Sequence, residues 1–336
     1  MIRALVTGGA GFIGSHLVEL LLKEGQEVYV LDNLLTGSLN NLKAVQDHPL
    51  LHVTVGSASD RALLKTLIPR VDYVYHLAAS VGVKHIMDHL ISSIQNNIDS
   101  TVAVLEVASQ CNKKVLLTSS SEVYGKSNEE PSRETDSLRM GETVNTRWSY
   151  ACSKALDEYL AFAYLYERGL PVTIARLFNT VGDRQSAAYG MVLPTFIHQA
   201  LLGEPLTIHG DGTQSRCFIY VKDVVSALHA LMQNDKANGQ VFNIGGTELV
   251  TVSQIADRII ALTGTKSEKQ YIPYAEAYKK GFEDTFRRQP NIEKIKNLID
   301  FEPRYTLNDI LGTIIDSVKE ATPSRQMHKD VVYSNI

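Results

Sequence analysis

Two short segments carry side chains that can do chemistry together. Residues 118–125 read Thr-Ser-Ser-Ser-Glu-Val-Tyr-Gly, and residues 150–154 read Tyr-Ala-Cys-Ser-Lys. On a helix, Tyr150 and Lys154 lie one turn apart on the same face. A nearby ammonium stabilises phenolate, so we expect Tyr150 to act as a base near neutral pH, well below its ordinary pKa of about 10. The pair therefore predicts the oxidation of a substrate hydroxyl.

One carboxylate in the first segment indicates a second chemical task. The serines supply hydroxyls that can share the proton of Tyr150, whereas simple oxidation of an alcohol by a nicotinamide has no need of Glu122. We therefore expect Glu122 to take part in a step other than hydride transfer. The alternative is a carboxylate that faces solvent on a turn or a helix.

Composition places the chain among ordinary globular enzymes. It has 336 residues, enough for about two domains, with 44% hydrophobic and 21% charged residues. The net charge of −4 gives no basic surface for nucleic acid or an anionic membrane, and no apolar run approaches the roughly 20 residues of a membrane span. The N-terminus enters a strand pattern at once without a signal peptide, so we expect a cytoplasmic protein.

The cysteine pattern predicts neither a disulfide framework nor a metal site. Cys111, Cys152 and Cys217 are odd in number and widely spaced, and the sequence has no Cys-x-x-Cys pair. We expect Cys152, which lies between Tyr150 and Lys154, to be a small buried residue and not a nucleophile.

Short apolar runs alternate with helical patterns over the first 180 residues. The predicted strands are 2–7, 27–32, 52–56, 73–78, 114–119 and 172–178, and the predicted helices between them are 15–24, 61–67, 87–111 and 148–167. Such alternation is typical of βαβ units with a parallel sheet and helices on both faces. Beyond about residue 179 the segments shorten, and helical patterns recur at 192–202, 222–232, 251–263 and 307–321.

A glycine-rich turn follows the first predicted strand. Gly8, Gly11 and Gly14 permit a tight turn and a close approach of the backbone to a pyrophosphate at the start of the next helix. Asp32 ends the second predicted strand 18 residues after Gly14, where an acid accepts hydrogen bonds from a ribose and repels a 2′-phosphate. No arginine follows closely, so the turn favours NAD over NADP.

These patterns together predict an α/β protein. We expect a Rossmann-type doubly wound parallel sheet that binds NAD and carries the catalytic Tyr150 and Lys154 in residues 1–180. A smaller α+β substrate-binding region is expected in residues 181–322, followed by a loose polar tail at 323–336.

As an ordered set, the motifs resemble the extended short-chain dehydrogenase/reductases that modify nucleotide sugars. The resemblance extends over roughly residues 1–320 and also includes Arg176-Leu-Phe-Asn179, the segment 210–216 and Arg288-x-Pro290. It implies that NAD contacts Gly8, Gly11, Phe12, Ile13, Gly14, Asp32, Asn33, Ser57, Ala58, Leu77, Ala78, Ala79, Asn97, Tyr150 and Lys154. The family commonly has aspartate at the position of Ser57 and proline at that of Asp183.

The resemblance also implies roles for the catalytic residues. Tyr150 would take the proton of the sugar C4 hydroxyl as hydride leaves C4, Lys154 would lower the pKa of the phenol, and Ser120 would bridge the phenol and the C4 oxygen. A UDP-sugar pocket is implied at Asn179 for the diphosphate, Thr207 and His209 for the uracil, and Gln214, Arg216 and Arg288 for the ribose and phosphates. Lys84 is either a contact to an acidic sugar or a solvated lysine.

Three fates remain open for the resulting 4-keto sugar. In UDP-glucuronate decarboxylases of this family a glutamate at the position of Glu122 lies by the departing carboxylate, which Ser121 and Arg288 would orient. Arg147-Trp148-x-Tyr150 also resembles the decarboxylases. The resemblance therefore favours decarboxylation, with 4-epimerisation and then 4,6-dehydration as alternatives. It also implies a homodimer formed by helices 87–111 and 148–167, although packing against the sheet alone also accounts for their apolar residues.

Overall fold

The computed structural model describes residues 1–127, 130–185, 191–277 and 285–321. Its strands are β1 (Arg3–Thr7), β2 (Glu27–Asp32), β3 (Leu51–Val55), β4 (Tyr73–His76), β5 (Lys114–Ser120), β6 (Val172–Leu177), β7 (Thr180–Val181), β8 (Leu206–His209), β9 (Ser215–Cys217), β10 (Ile219–Tyr220), β11 (Gln240–Ile244), β12 (Leu249–Thr251), β13 (Lys269–Ile272) and β14 (Arg287–Arg288). Its α-helices are α1 (Phe12–Lys23), α2 (Arg61–Leu67), α3 (Val83–Asp88), α4 (Leu90–Gln110), α5 (Ser149–Arg168), α6 (Val192–Leu202), α7 (Val221–Gln233), α8 (Val252–Thr263), α9 (Tyr274–Ala277), α10 (Glu293–Ile299) and α11 (Leu307–Ala321).

Seven parallel strands form the main sheet, in the order β11-β6-β5-β4-β1-β2-β3. Nearly every residue of β1, β5 and β6 is buried, because helices cover both faces of the sheet. Side chains of α1 and α7 pack on one face, and those of α2, α4 and α5 pack on the other. This is the Rossmann-type α/β architecture that the alternating pattern predicts.

The order of the strands reverses between β1 and β4. In a doubly wound sheet, ligands bind outside the carboxyl ends of the strands at such a switch point. The glycine turn follows β1, Leu77 and Ala78 follow β4, and the serine–glutamate segment follows β5, so all three reach the same edge. His76 connects the ends of β4 and β1 with α4: its Nδ1 lies 2.8 Å from Thr7 Oγ1 and its Nε2 lies 3.2 Å from Thr101 Oγ1.

The sheet takes its seventh strand from beyond residue 180, so the two regions predicted from the sequence interleave. Residues 240–244 form β11, which runs parallel to β6, and α7 packs against α1. A strand that returns to the sheet edge after a long connection has no local signal of its partner. The predicted tail, 323–336, lies outside the described residues.

The predicted helix 87–111 is two helices. Backbone torsions at His89 (φ −134°, ψ 50°) are not helical, and they separate α3 from α4. The predicted helix 148–167 begins one residue later, after a 3-10 turn at Thr146–Trp148, and ends at Gly169 in the left-handed conformation. The other predicted elements agree with the structure to within a few residues at their ends.

Small sheets bring substrate-side residues into register. β9 pairs with β12 and β14, and the pairing with β14 sets Arg216 beside Arg288. β8 pairs with β13, and β7 pairs with β10. Among the described residues, no helix combines the length and the apolar character needed to cross a membrane.

Candidate active site

A cavity of about 1530 Å³ opens at the carboxyl edge of the sheet. Its walls come from both halves of the chain: the glycine turn, the segment after β5, the start of α5, and the strands β8, β9 and β14. All of the predicted site residues line it except Asn97 and Lys84. The side chain of Lys84 lies outside the described part of the structure.

The glycine turn leaves backbone atoms exposed to the cavity because side chains at Gly8 and Gly14 would not fit. Gly8 has a φ of +73°, and a Cβ there would come within 2.9 Å of Ala78 N; a Cβ on Gly14 would overlap the carbonyl oxygen of Gly8. The buried carboxylate of Asp32 stabilises the turn by accepting hydrogen bonds from Ala10 N (2.9 Å) and Leu34 N (2.8 Å). Bare backbone beside a helix N-terminus fits a dinucleotide pyrophosphate, so these residues suit NAD.

The geometry does not support a direct cofactor contact by Asn97. The carboxamide oxygen of this buried residue accepts a hydrogen bond from Ser80 N at 2.6 Å. Its neighbours on the same helix, Asn96 and Ser100, line the cavity instead. Successive residues of a helix point about 100° apart, so Asn96 and Asn97 face different surroundings, and the contact of Asn97 with NAD stays a prediction.

Lys154 is held at the floor of the site by hydrogen bonds. Its Nζ donates to Thr118 O (3.1 Å) and to Asp157 Oδ2 (3.1 Å), and both side chains are buried. Burial lowers the pKa of Lys154, but Asp157 and the phenol of Tyr150 outweigh it, and the net pKa is raised. Lys154 is therefore a fixed positive charge one helical turn from Tyr150.

The expected lowering of the Tyr150 pKa is not seen in this structure. Burial raises the pKa of the phenol; Lys154 and a hydrogen bond with Ser120 lower it, while the charge of Glu122 raises it again. The net pKa lies above the ordinary value because burial, the largest effect, outweighs the ammonium of Lys154, which also donates a hydrogen bond to Asp157. Tyr150 is thus protonated at neutral pH in this structure.

Glu122 lies between two guanidinium groups. Its Oε1 is 2.8 Å from Arg288 Nη1 and its Oε2 is 2.7 Å from Arg147 Nη2. Its side chain is 13% exposed, so the solvent-facing alternative does not hold. Burial raises the pKa of this carboxyl, but Arg288 and Arg147 together lower it to about 2. Glu122 is ionised at neutral pH, and the three side chains carry a net charge of about +1.

The turn that presents Glu122 is built by its neighbours. Ser120 Oγ accepts a hydrogen bond from Glu122 N at 3.2 Å, which begins the 3-10 helix Ser121–Tyr124. Gly125 ends this helix with a φ of +62°, where a Cβ would collide with Arg139 O. Because both ends of the turn are constrained, Ser121 and Glu122 have defined positions in the cavity wall.

A buried ion pair supports the same turn from below. Ser119 Oγ donates to Glu158 Oε1 at 2.5 Å, and Arg176 binds Glu158 with two hydrogen bonds of 2.9 and 2.7 Å. The guanidinium of Arg176 also lies over the ring of Tyr124. This network joins β5, α5 and β6, and so it fixes the distance between Ser120 and Tyr150.

Polar groups of the second region line the far end of the cavity. Gln214 Nε2 donates to His209 O at 2.8 Å, and Gln214 Oε1 is buried without a hydrogen-bond partner in the described structure. Asn179 Nδ2 donates to Cys217 O, and Thr207 is bound by Gln199. Arg216 donates to Ser215 O and Phe286 O. The structure therefore brings the predicted substrate residues, apart from Lys84, to one wall.

Sequence reasoning missed the contact between Arg147 and Glu122, and it missed the acid that holds Lys154. In the sequence, Arg147 stands out only within the segment 147–150 that resembles the decarboxylases. Its position three residues before Tyr150 was a usable signal, because a residue just before a helix can reach the cavity that the first turn of that helix lines. Asp157 follows Lys154 by three residues, a spacing that favours an ion pair on a helix.

The glycine turn makes a testable prediction with an internal control. Gly14→Ala places a methyl group against Gly8 O, so we expect loss of tight NAD binding and a decrease of about 1–3 kcal/mol in the free energy of unfolding. Gly312→Ala, within α11 where a Cβ meets nothing within 4 Å, should raise that free energy by about 0.5–1 kcal/mol and leave NAD binding unchanged. Urea unfolding and NAD titration measure both; wild-type NAD affinity in Gly14→Ala would contradict this role of the glycine turn.

The charge of Glu122 makes a prediction about pH. Because this carboxylate raises the pKa of Tyr150, Glu122→Gln should lower it. The phenol must lose its proton to act as a base, so the rate at which substrate reduces bound NAD rises with pH, and in Glu122→Gln this rise should occur at lower pH. Single-turnover absorbance of NADH across pH measures it, with exposed Glu302→Gln as the control; an unmoved or upward-shifted profile would be contrary to the assignment.

Comparison with known proteins gives consistent results. Residues 4–245 match the NAD dependent epimerase/dehydratase family. A UDP-N-acetyl-alpha-D-glucosaminuronate decarboxylase from Bacillus cytotoxicus is 39% identical over 320 residues, which cover 95% of this chain and 98% of that protein. UDP-glucuronic acid decarboxylase 1 from Danio rerio is 36% identical over 313 residues, or 93% of this chain and 72% of its own length.

A solved structure has the same fold over nearly the whole chain. The UDP-glucose 4-epimerase of Thermotoga maritima, determined with UDP-glucose, superposes with a TM-score of 0.85 at 30% identity and covers 95% of this chain and 99% of its own. The family match extends over most of the chain and includes the glycine turn, Glu122, Tyr150 and Lys154. The chain belongs to the NAD-dependent epimerase/dehydratase family.

Proposed function

We propose that this chain is an NAD-dependent decarboxylase of a UDP-hexuronate, converting UDP-glucuronate to UDP-xylose. The observation that carries the proposal is the buried cluster of Arg147, Glu122 and Arg288, which has an excess positive charge and lies in the same cavity as Tyr150. A neutral sugar offers nothing to compensate that charge, whereas the C6 carboxylate of a hexuronate does.

The first task of the site is to bind the nucleotide and oxidise the sugar at C4. The unpartnered Gln214 Oε1 accepts hydrogen bonds from the nucleotide, and Arg216 binds the diphosphate. Tyr150, which lines the cavity together with Ser120, takes the proton of the C4 hydroxyl. NAD, when bound at the glycine turn, supplies the acceptor and later the donor of the hydride.

The second task is the loss of carbon. A ketone at C4 makes the uronate a β-keto acid: the C5–C6 bond breaks, C6 leaves as CO2, and the electron pair passes to the C4 oxygen as an enolate. Arg288 and Ser121 orient the carboxylate, while the charge of Glu122 raises its ground-state energy. With a pKa of about 2, Glu122 acts here as a fixed charge and not as a proton donor. Protonation at C5 and return of the hydride to C4 give the UDP-pentose.

Two other candidates have specific support. UDP-2-acetamido-2-deoxyglucuronate is a second substrate candidate, because the relative at 39% identity is named for that decarboxylation. A 4-epimerase is the alternative reaction, favoured by the likeness to the Thermotoga maritima structure. An epimerase needs to release and turn the 4-keto sugar, and a guanidinium pair around Glu122 adds nothing to that step. A 4,6-dehydratase ranks third, because it uses the glutamate as a base toward C5, and here the ion pairs with Arg288 and Arg147 lower the pKa of Glu122 to about 2, which makes it a weak base.

Incubation of the enzyme with UDP-glucuronate should release CO2 and yield UDP-xylose. We expect UDP-2-acetamido-2-deoxyglucuronate to be the competing substrate, and UDP-glucose to give no loss of carbon. Mass spectrometry of the nucleotide sugars, together with trapping of CO2, measures all three. A product with the mass of the substrate would contradict the decarboxylase assignment and support the 4-epimerase assignment.

Two variants separate the steps. Tyr150→Phe should abolish C4 oxidation, because the phenol is the base. Glu122→Gln should still oxidise C4 but should lose CO2 more slowly, so NADH accumulates during turnover. Equal loss of both steps in Glu122→Gln would remove its separate role.

We also propose a homodimer formed through α4 and α5. Tyr159 is 68% exposed and Tyr166 is 79% exposed, and Leu156 and Ile91 also leave apolar side chains on the surface of these helices. Side chains 156, 159 and 166 follow a helical spacing along α5 and form one face. Such a face on two adjacent helices suits isologous packing against a second copy.

Tyr159→Arg should convert the dimer to a monomer, because it places a charge in the centre of that face. Light scattering during size exclusion gives the mass. Leu262→Arg, on the exposed side of α8, is the matched control and should remain dimeric. A wild-type monomer, or a Tyr159→Arg dimer, would refute this interface.

The cysteines are compatible with a reducing compartment, and we propose the cytoplasm. Cys111, Cys152 and Cys217 are all free thiols. Cys152 is exposed and not buried as expected, because its position on α5 turns it away from the sheet. Burial raises the pKa of Cys217 to about 12, which makes this thiol unreactive.

A further inference from the structure

Arg147 reaches the catalytic cavity from a rigid base. It belongs to the 3-10 turn Thr146–Trp148, which leads directly into the helix of Tyr150 and Lys154. Its side chain is 6% exposed, and its guanidinium lies 5.4 Å from the ring centre of Trp148. Arg147 also lines the cavity, and its buried Nε has no hydrogen-bond partner in the described structure.

The two arginines hold Glu122 in different ways. Arg288 lies on the two-residue strand β14. Its Nη1 donates a hydrogen bond to Glu122 Oε1, and its Nη2 donates one to Thr285 Oγ1. Arg147 binds the other oxygen, Oε2. If Arg288 moves to a ligand, Glu122 keeps a charged partner; if Arg147 were absent, Glu122 would retain Arg288 as its single partner. If Arg288 were the single buried partner of Glu122, it could not turn to the substrate, because leaving Glu122 would expose an uncompensated buried charge.

The net charge of the cluster also indicates that Arg147 is needed for binding an anion. Glu122 and Arg288 alone form a neutral pair, which has no electrostatic preference for an anion. Adding Arg147 makes the cluster cationic in a buried wall, and an incoming carboxylate restores neutrality. The guanidinium of Arg288 is also the right shape for two parallel hydrogen bonds to a carboxylate.

We propose that Arg147 is the positioning residue that determines selectivity for an acidic sugar: it holds Glu122 by Oε2 and so frees Arg288 to bind the carboxylate of the hexuronate. This inference rests on the proposed decarboxylase function. It assigns the discrimination between acidic and neutral UDP-sugars to the charge balance of the three residues.

Binding to the NAD-loaded enzyme tests the inference. Dissociation constants are measured for UDP, UDP-glucose and UDP-glucuronate in the wild type, in Arg147→Gln and in Arg61→Gln, a surface arginine paired with Glu106. We expect Arg147→Gln to weaken the binding of UDP-glucuronate by at least about thirtyfold, the low end for loss of a buried charge partner, and to leave the binding of UDP and UDP-glucose unchanged. Arg61→Gln should change none of them.

Two further variants keep the test decisive. Arg147→Lys keeps the charge and should retain most of the preference for UDP-glucuronate, which also covers the case in which the glutamine variant does not fold. In the double variant Glu122→Gln/Arg147→Gln, Arg288 has lost its carboxylate partner and is free again. UDP-glucuronate should therefore bind more tightly to the double variant than to Arg147→Gln alone.

The outcomes separate this inference from the proposed function. Equal weakening of all three ligands, or an unchanged preference in Arg147→Gln, would overturn the role of Arg147. A double variant that binds UDP-glucuronate no better than Arg147→Gln would do so as well. A wild-type enzyme that neither prefers UDP-glucuronate to UDP-glucose nor releases CO2 would overturn the proposed function itself.

Discussion

The ion cluster of Glu122, Arg147 and Arg288 is the interaction on which the rest of the site depends. Removing one partner from a buried ion pair costs about 3–5 kcal/mol, so the members of this cluster constrain one another strongly. Each comes from a different part of the chain: the turn after β5, the turn before α5, and β14. The cluster therefore closes the cavity only when the Rossmann sheet and the substrate-binding strands are both in place, and it couples the binding of the sugar to the position of the catalytic helix.

The same balance of charges explains the behaviour of Tyr150. Burial and Glu122 raise the pKa of the phenol, while Lys154 lowers it, and Lys154 is itself held in an ion pair with Asp157. In the proposed reaction, a substrate carboxylate bound to Arg288 adds negative charge beside Glu122, whose own charge raises the pKa of Tyr150. The proposal therefore links the step that selects the sugar to the step that oxidises it through charges on the same cavity wall.

Much of this architecture can be predicted from the sequence, because local patterns determine it. The buried strands β2 and β5, the glycine turn and the pairing of Tyr150 with Lys154 each have a signal within a few residues. Contacts between distant segments have none: nothing near residue 240 indicates that it joins β6, and nothing near Arg288 indicates that it meets Glu122. The contact predicted for Asn97 stays a prediction: its neighbours Asn96 and Ser100 line the cavity, and a sequence pattern does not determine the rotation of a long helix. The expected direction of the Tyr150 pKa was wrong because burial of the phenol, the largest effect on that pKa, depends on the packing of distant segments.

The central claim is that a carboxylate at C6 of the sugar compensates the cationic cluster and then leaves as CO2. Turnover of UDP-glucuronate in D2O, followed by mass spectrometry and NMR of the product, tests this most directly. The account predicts a UDP-pentose that has lost C6 and carries one deuterium at C5, because the enolate formed by carbon loss is protonated from solvent. A UDP-hexuronate that retains C6 and carries no deuterium would contradict it.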